Sequence, residues 1–186
     1  MEEKKLGQGA FGHVFVACRR PLSETKEPST DCNYVVKVQK VGVEFSTEVK
    51  VLAAVASLAV APRMFDHWEC KGQAYMVSEL MKEDLEDELN RTSSIAQSDI
   101  ERVRTLLTML HTKRIAWLDM ASRNLLRGFD GLLYLSDFGV SLDYSGVDDE
   151  VGQQYRITQE DLTFPEAVEL DWEQFRAWER DMSIWR

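Results

Sequence analysis

Apolar and polar positions alternate over "HVFVAC" (13–18), and "YVVKV" (34–38) is a run of β-branched residues with one lysine in it. Both predict strands: successive side chains of an extended chain face opposite ways, and branched side chains suit a pleated surface. Residues 4–18 read as two strands around a glycine turn. The polar stretch 19–33, with Pro21 and Pro28, reads as a loop. Over 44–58 the period lengthens, with Phe45, Val49, Leu52 and Val55 or Ala56 at helical spacing. "MFDHWE" and "QAYMVSELM" (64–69 and 73–81) predict two more strands, joined at Lys71-Gly72. The first half is therefore a small sheet with one helix.

The second half changes character. "KEDLEDELN" (82–90) predicts a short acidic helix with a solvated face. Ser98 with Glu101 fits a capping box, opening a helix with Ile100, Val103, Leu106, Leu107 and Leu110 on one face. "LDMASRNLL" (118–126) and "YLSDFGVSL" (134–142) read as loops and short strands, and 146–163 is polar and irregular. Residues 165–182 predict an amphipathic helix with Pro165 near its start. Its stripe of Trp172, Phe175, Trp178, Met182 and Trp185 reads as core packed on the helix of 99–114, or as a surface for a partner.

Composition narrows this picture. A chain of 186 residues is one domain with room for two lobes, 1–81 and 82–186, and 44% apolar residues suffice for a core. The longest apolar run, 51–61, is shorter than the roughly 20 residues of a membrane span. The start shows no secretory signal pattern. A net charge of −10 argues against general binding to nucleic acid or an anionic membrane. Three cysteines, Cys18, Cys32 and Cys70, show no metal-ligand spacing and suit a reducing, cytoplasmic compartment.

The candidate chemistry begins at Gly7, Gly9, Gly12 and Val14, which match G-x-G-x-x-G-x-V. Glycines let a backbone approach a phosphate closely, and a flexible hairpin tip is the plainer reading. A strand follows Gly12 where a dinucleotide site would have a helix, which favours a hairpin folding over phosphates. Lys37 lies mid-strand, where it either faces solvent or is a buried cation needing a carboxylate. Glu48 supplies one from the core-facing side of the next helix, with Glu44 as the competitor. Asp119 can take a proton from a hydroxyl, and Asn124 with Asp137 offers the hard oxygen ligands that Mg²⁺ prefers. Either aspartate alone reads as a cap or turn residue. The ordered set of glycine turn, strand lysine, helix glutamate, Asp-x4-Asn and Asp-Phe-Gly is not explained that way.

From Leu6 to Leu142 the chain resembles a eukaryotic-type protein kinase domain in compact form. The resemblance implies an α+β fold: an antiparallel-sheet N-lobe with one main helix and a reduced, mostly helical C-lobe. It implies ATP and Mg²⁺ as cofactors and a protein substrate. Leu6, Gly7, Gly9, Gly12 and Val14 would cover the nucleotide, and Lys37 would bind its phosphates and pair with Glu48. Ser78 would be the gatekeeper, with the Glu79 and Met81 backbones holding adenine. Asp119 would be the catalytic base, and Asn124 and Asp137 the metal ligands.

Departures are equally specific. Trp117-Leu118 stands where the family has His-Arg, which makes activation by loop phosphorylation doubtful. Ala121 stands where serine/threonine kinases carry a lysine, and Arg123 is the candidate to replace it near the γ-phosphate. "DMASRN" is similar to the tyrosine-kinase loop. "FPE" (164–166) resembles the motif closing the activation segment, and Asp171 resembles the aspartate that braces the catalytic loop. Tyr144, Ser145, Tyr155, Thr158 and Thr163 are candidate phosphorylation sites or ordinary loop polarity. Forty-seven residues follow Gly139, too few for the usual docking helices, so a partner protein completing the lobe is an expectation. The size is similar to that of minimal viral or pathogen-effector kinases. Three readings stand: an active protein kinase, a pseudokinase that binds nucleotide as an interaction module, and a small-molecule kinase. The full glycine and Asp-Phe-Gly phrases count against the third.

Overall fold

The computed structural model describes residues 5–8, 12–18, 32–146 and 162–185. β1 (Lys5–Gln8), β2 (Gly12–Ala17), β3 (Tyr34–Lys40), β4 (Met64–Cys70) and β5 (Gln73–Glu79) form one antiparallel sheet in the order β1-β2-β3-β5-β4. Lys71 and Gly72, with φ of 51° and 76°, make the β4–β5 turn. Paired left-handed residues match the twist of a hairpin, and glycine adopts that conformation at little cost. α1 (Val43–Val55) buries Phe45, Glu48, Val51, Leu52 and Val55. It ends three residues earlier than its hydrophobic pattern suggests: Ala59 turns left-handed with φ of 51°, and Leu58 N–H donates to the Val55 carbonyl at 2.8 Å.

The second lobe begins with β6 (Glu83–Asp84), α2 (Leu85–Thr92) and α3 (Gln97–Thr112). The Ser98–Glu101 capping box is corrected: α3 starts at Gln97 after Ala96, so both residues lie inside the helix. Box chemistry occurs instead ahead of α4 (Phe164–Met182), where Glu166 accepts from the Thr163 N–H at 2.7 Å and its hydroxyl at 2.6 Å. Between these helices run β7 (Ile115–Ala116), a 3₁₀ turn (Ser122–Asn124), β8 (Leu125–Arg127), β9 (Leu133–Leu135) and β10 (Leu142–Asp143). β6, β8 and β9 form one small sheet, and β7 pairs with β10.

One continuous core joins the lobes, from Phe45, Leu52 and Met76 through Leu106, Leu110, Leu135 and Phe138 to Phe175, Trp178 and Met182. Phe175, Trp178 and Met182 of the aromatic stripe are therefore core, with Trp172 and Trp185 packed partly buried against it. Leu135 N–H donates to the Val60 carbonyl at 2.8 Å, and Arg102 reaches the carbonyls of Leu133 and Ala59. These bonds set the loops of the second lobe against the base of the sheet. Arg127 pins α2 to α3, bonding Glu88 at 2.9 Å and Asp99 through two nitrogens at 2.7 and 2.9 Å. The acidic helix is thus only partly a solvated face.

Cys18 and Cys32 are joined as a disulfide. That corrects the expectation of a chain with reduced cysteines: the β2–β3 pairing of Ala17 with Tyr34 brings the two strand ends together. Cys70 is an exposed thiol. No helix among the described residues is long and apolar enough to cross a membrane.

Candidate active site

Lys37 stands mid-strand in β3, opposite Val14 on one side and Met76 on the other. Its ammonium donates to both Glu48 oxygens, at 3.0 and 2.7 Å, and to Asp137 Oδ1 at 3.1 Å. Helical spacing puts Glu48 on the buried side of α1 with Phe45 and Leu52, whereas Glu44 is only half-buried. Burial works against the charge on Lys37, but the two carboxylates outweigh it and lift its pKa above the ordinary lysine value. Burial is also the main influence on Glu48 and raises its pKa, with Lys37 pulling the other way. The solvent-facing reading of this lysine is excluded.

Asp137 and Leu118 are non-glycine residues in the left-handed region, with φ of 55° and 63°. Such positions cost on the order of 1–3 kcal/mol and persist only where their surroundings enforce them. The enforcement is visible. Phe138, next to Asp137, is fully buried. Ser136 donates through its N–H and its hydroxyl to the Asn124 carbonyl, at 2.9 and 3.0 Å. Trp117, also fully buried, donates its indole N–H to the Ser136 carbonyl at 3.0 Å and tilts against Phe138. At Gly139 a Cβ would come within 3.3 Å of Glu44 Cβ, so α1 packs tightly on this segment.

The loop carrying Asp119 is held from α4. Asp171, 1% exposed, accepts from the N–H groups of Trp117 at 2.9 Å and Leu118 at 2.7 Å, and bonds His111 Nε2 at 2.9 Å. It is a buried brace, not a solvent-facing helix residue. Within the loop, Asn124 Nδ2 donates to the Asp119 carbonyl at 3.0 Å. Burial first, and the like charge of Asp137 second, raise the Asp119 carboxyl above the ordinary aspartate value. Arg123 Nη2 stands 4.0 Å from Asp119 Oδ1 on a largely exposed side chain.

The remaining predicted residues line the sheet. Leu6 and Gly7 lie on β1, where Gly7 pairs with Val14, and Gly9 falls outside the described residues. Gly12 has a packing reason of its own: a Cβ there would collide with the Val38 carbonyl oxygen. Ser78 is half-buried on β5 between Val35 and Met64. Glu79 N–H donates to the Arg63 carbonyl at 2.9 Å, and half-buried Met81 follows two residues on. Of the loop candidates, Tyr144 is buried with its hydroxyl donating to the Leu162 carbonyl at 2.9 Å. The Thr163 hydroxyl donates to Glu166. Tyr155 and Thr158 lie outside the described residues.

Residues 1–170 match the family model of the protein kinase domain. The chain belongs to that family. Among its relatives, cyclin-dependent kinase 9-A of Xenopus laevis is 27% identical over 156 residues, covering 76% of this chain and 42% of the relative. Cyclin-dependent kinase D-1 of Oryza sativa subsp. indica is 29% identical, covering 76% and 34%. Serine/threonine-protein kinase B of Synechocystis sp. is 29% identical, covering 72% and 25%. The kinase domain thus spans less than half the length of these relatives.

The donor set fits the cofactors that the family uses. Asp137 and Asn124 offer hard oxygen atoms, and Lys37 offers a cation held between two carboxylates. Among the described residues no cluster of three or more His, Cys, Asp and Glu side chains forms a metal cage. Mg²⁺ commonly binds through one or two protein oxygens together with substrate phosphates, so a sparse set suits it. Sequence reasoning missed His111, Gln174, the bond from Trp178 Nε1 to Ser122 Oγ at 3.1 Å, and Trp117 as an anchor. Trp117 carried a signal, being an aromatic at a position read only as a departure. The others carried none until the helix met the loop.

Proposed function

We propose that this kinase domain transfers the γ-phosphate of ATP to a protein hydroxyl. The observation that carries the proposal is the placement of Lys37 between Glu48 and Asp137, residues 11 and 100 positions away in the chain. A lysine so fixed presents its charge to phosphate at no cost of ordering when the nucleotide arrives. Mg²⁺, when bound through Asp137 and Asn124, neutralises charge on the phosphates. Asp119 accepts the hydroxyl proton and orients the oxygen for in-line attack. Arg123, mostly in water, supplies charge near the phosphoryl group in place of the lysine missing at Ala121. Gly7, Gly9, Gly12, Leu6 and Val14 cover the nucleotide, Ser78 borders it, and the backbones of Glu79 and Met81 hold adenine.

Trp117-Leu118 supported the alternative of a nucleotide-binding pseudokinase. The anchoring of Trp117 to Ser136 and Asp171 supports the active reading instead, because the residue orders the loop. Ala121 still favours the alternative, since no side-chain donor can project from it. The name of the Synechocystis relative supports a serine or threonine acceptor. The exposed Phe129, Leu132 and Ile184 of the second lobe support a protein partner there.

The test is incubation with Mg²⁺ and γ-labelled ATP, beside Asp119→Asn and Asp137→Ala, with casein, myelin basic protein and a cell lysate as acceptors. Label transfer lost in both variants is the expected result, and phosphoamino-acid analysis then assigns the acceptor. ATP binding without transfer, in the presence of lysate, would establish the pseudokinase.

A further inference from the structure

Asp119 sits between two backbone groups that one side chain grips. Gln174 Oε1 accepts from the Met120 N–H at 3.2 Å, and Gln174 Nε2 donates to the Leu118 carbonyl at 3.4 Å. The two partners are of opposite kind, so only one orientation of the amide satisfies both. Gln174 follows Asp171 by three residues and precedes Trp178 by four, which puts all three on one face of α4. Asp171 holds the N–H groups of Trp117 and Leu118, and Trp178 holds Ser122 Oγ. Along this face the middle member alone touches both neighbours of Asp119. The loop needs such a grip because Leu118, immediately before Asp119, is left-handed with φ of 63° and tends to relax if its carbonyl is released.

We infer that Gln174 is a positioning residue for phosphoryl transfer: its side-chain amide clamps the backbone on both sides of Asp119 and fixes the direction of that carboxylate. The inference rests on the reading of Asp119 as the base. A glutamine that merely fills space at the helix surface would leave both turnover and loop dynamics alone. A clamp has a different signature. Among the described residues the hydrogen bonds of Gln174 go to Met120 and Leu118 and not to Lys37, Glu48 or the sheet, so nucleotide affinity should stay constant while turnover falls. Displacements of about 1 Å can cost up to 10²-fold, so the loss of one clamp among three should lower kcat about tenfold.

Gln174→Ala and Gln174→Glu would be compared with wild type for kcat, KM for ATP, thermal unfolding, and amide hydrogen exchange at Met120. For Gln174→Ala the expected result is kcat about tenfold lower, KM for ATP within about twofold, and faster Met120 exchange. Gln174→Glu keeps the shape and the acceptor for Met120 N–H, so it reports even if the alanine variant folds poorly. It sets a carboxylate oxygen in place of the Nε2 donor against the Leu118 carbonyl, so kcat should fall with KM for ATP unchanged while Met120 N–H keeps its acceptor. Wild-type kcat, or wild-type Met120 protection, in folded Gln174→Ala overturns the inference. Failure of the underlying reading looks different: wild type transfers no phosphate, or Asp119→Asn transfers as well as wild type. Exchange at Met120 then still decides whether the clamp exists.

Discussion

Replacing Asp171 with asparagine keeps its volume and removes one acceptor from a buried network. In the native chain the carboxylate serves Trp117 N–H at 2.9 Å, Leu118 N–H at 2.7 Å and His111 Nε2 at 2.9 Å. An amide has one oxygen. Turned toward Leu118, it sets its NH₂ against the Trp117 N–H, and turned the other way it only exchanges the orphan. Leaving a buried donor unpaired costs about 1–3 kcal/mol, and hydrogen bonds to a charged group are worth about 1.5–3 kcal/mol. A net loss of about 3 kcal/mol is therefore expected, or about 6–12 °C in Tm for a chain of this length. Circular dichroism melts of wild type and Asp171→Asn, run at the same concentration without nucleotide, provide the measurement. The left-handed Leu118 should relax as well, so phosphate transfer at a temperature where both proteins are folded should fall too. A Tm within about 2 °C of wild type would refute the reasoning, since on that scale the orphaned donor costs less than about 1 kcal/mol.

Lys37→Met strands the buried Glu48 without its cation and should abolish transfer while costing about 2–4 kcal/mol; adding Glu48→Leu should recover most of that stability in urea melts but no activity. By NMR of the side-chain carboxyls, Asp119 should titrate above 3.8, the ordinary aspartate value. Its midpoint should fall in Asp137→Asn, because removing a neighbouring negative charge favours ionisation. The raised native pKa means the native state binds more protons than the unfolded chain in the window above 3.8. Its contribution to stability therefore decreases as pH rises through that window. Arg127→Ala should cost about 3 kcal/mol by leaving the carboxylates of Glu88 and Asp99 unpaired, and Arg127→Lys should recover less than half of it, because an ammonium cannot make the fork to Asp99.

Local chemistry made much of this protein legible before any contact was known. Period-two and period-3.6 patterns locate the sheet strands and the helices, and apolar neighbours one turn away mark Glu48 rather than Glu44. Boundaries were less legible. α1 stops at Val55, with Ala59 turned left-handed four residues on, and α3 begins at Gln97 after Ala96, which offers no side-chain cap for a sequence pattern to show. Asp171 was legible only through its likeness to a family motif, whereas His111 and Gln174, whose partners are equally distant in sequence, carried no local signal.

Alone, the order of residue types determined the kind of chemical groups on offer: a cation on a strand, a carboxylate on the buried face of a helix, and carboxylate and amide oxygens in two short loops. The tertiary structure decided which groups meet. It brought Asp137 to 3.1 Å from Lys37 across 100 residues, and it turned Trp117 from a departure into an anchor on Ser136. It also set Asp171, Gln174 and Trp178 along one side of the loop of Asp119. The physical reason is that a side chain's pattern of neighbours fixes only its face and burial, while hydrogen bonds of 2.7–3.4 Å to distant backbone depend on how helices and sheets pack.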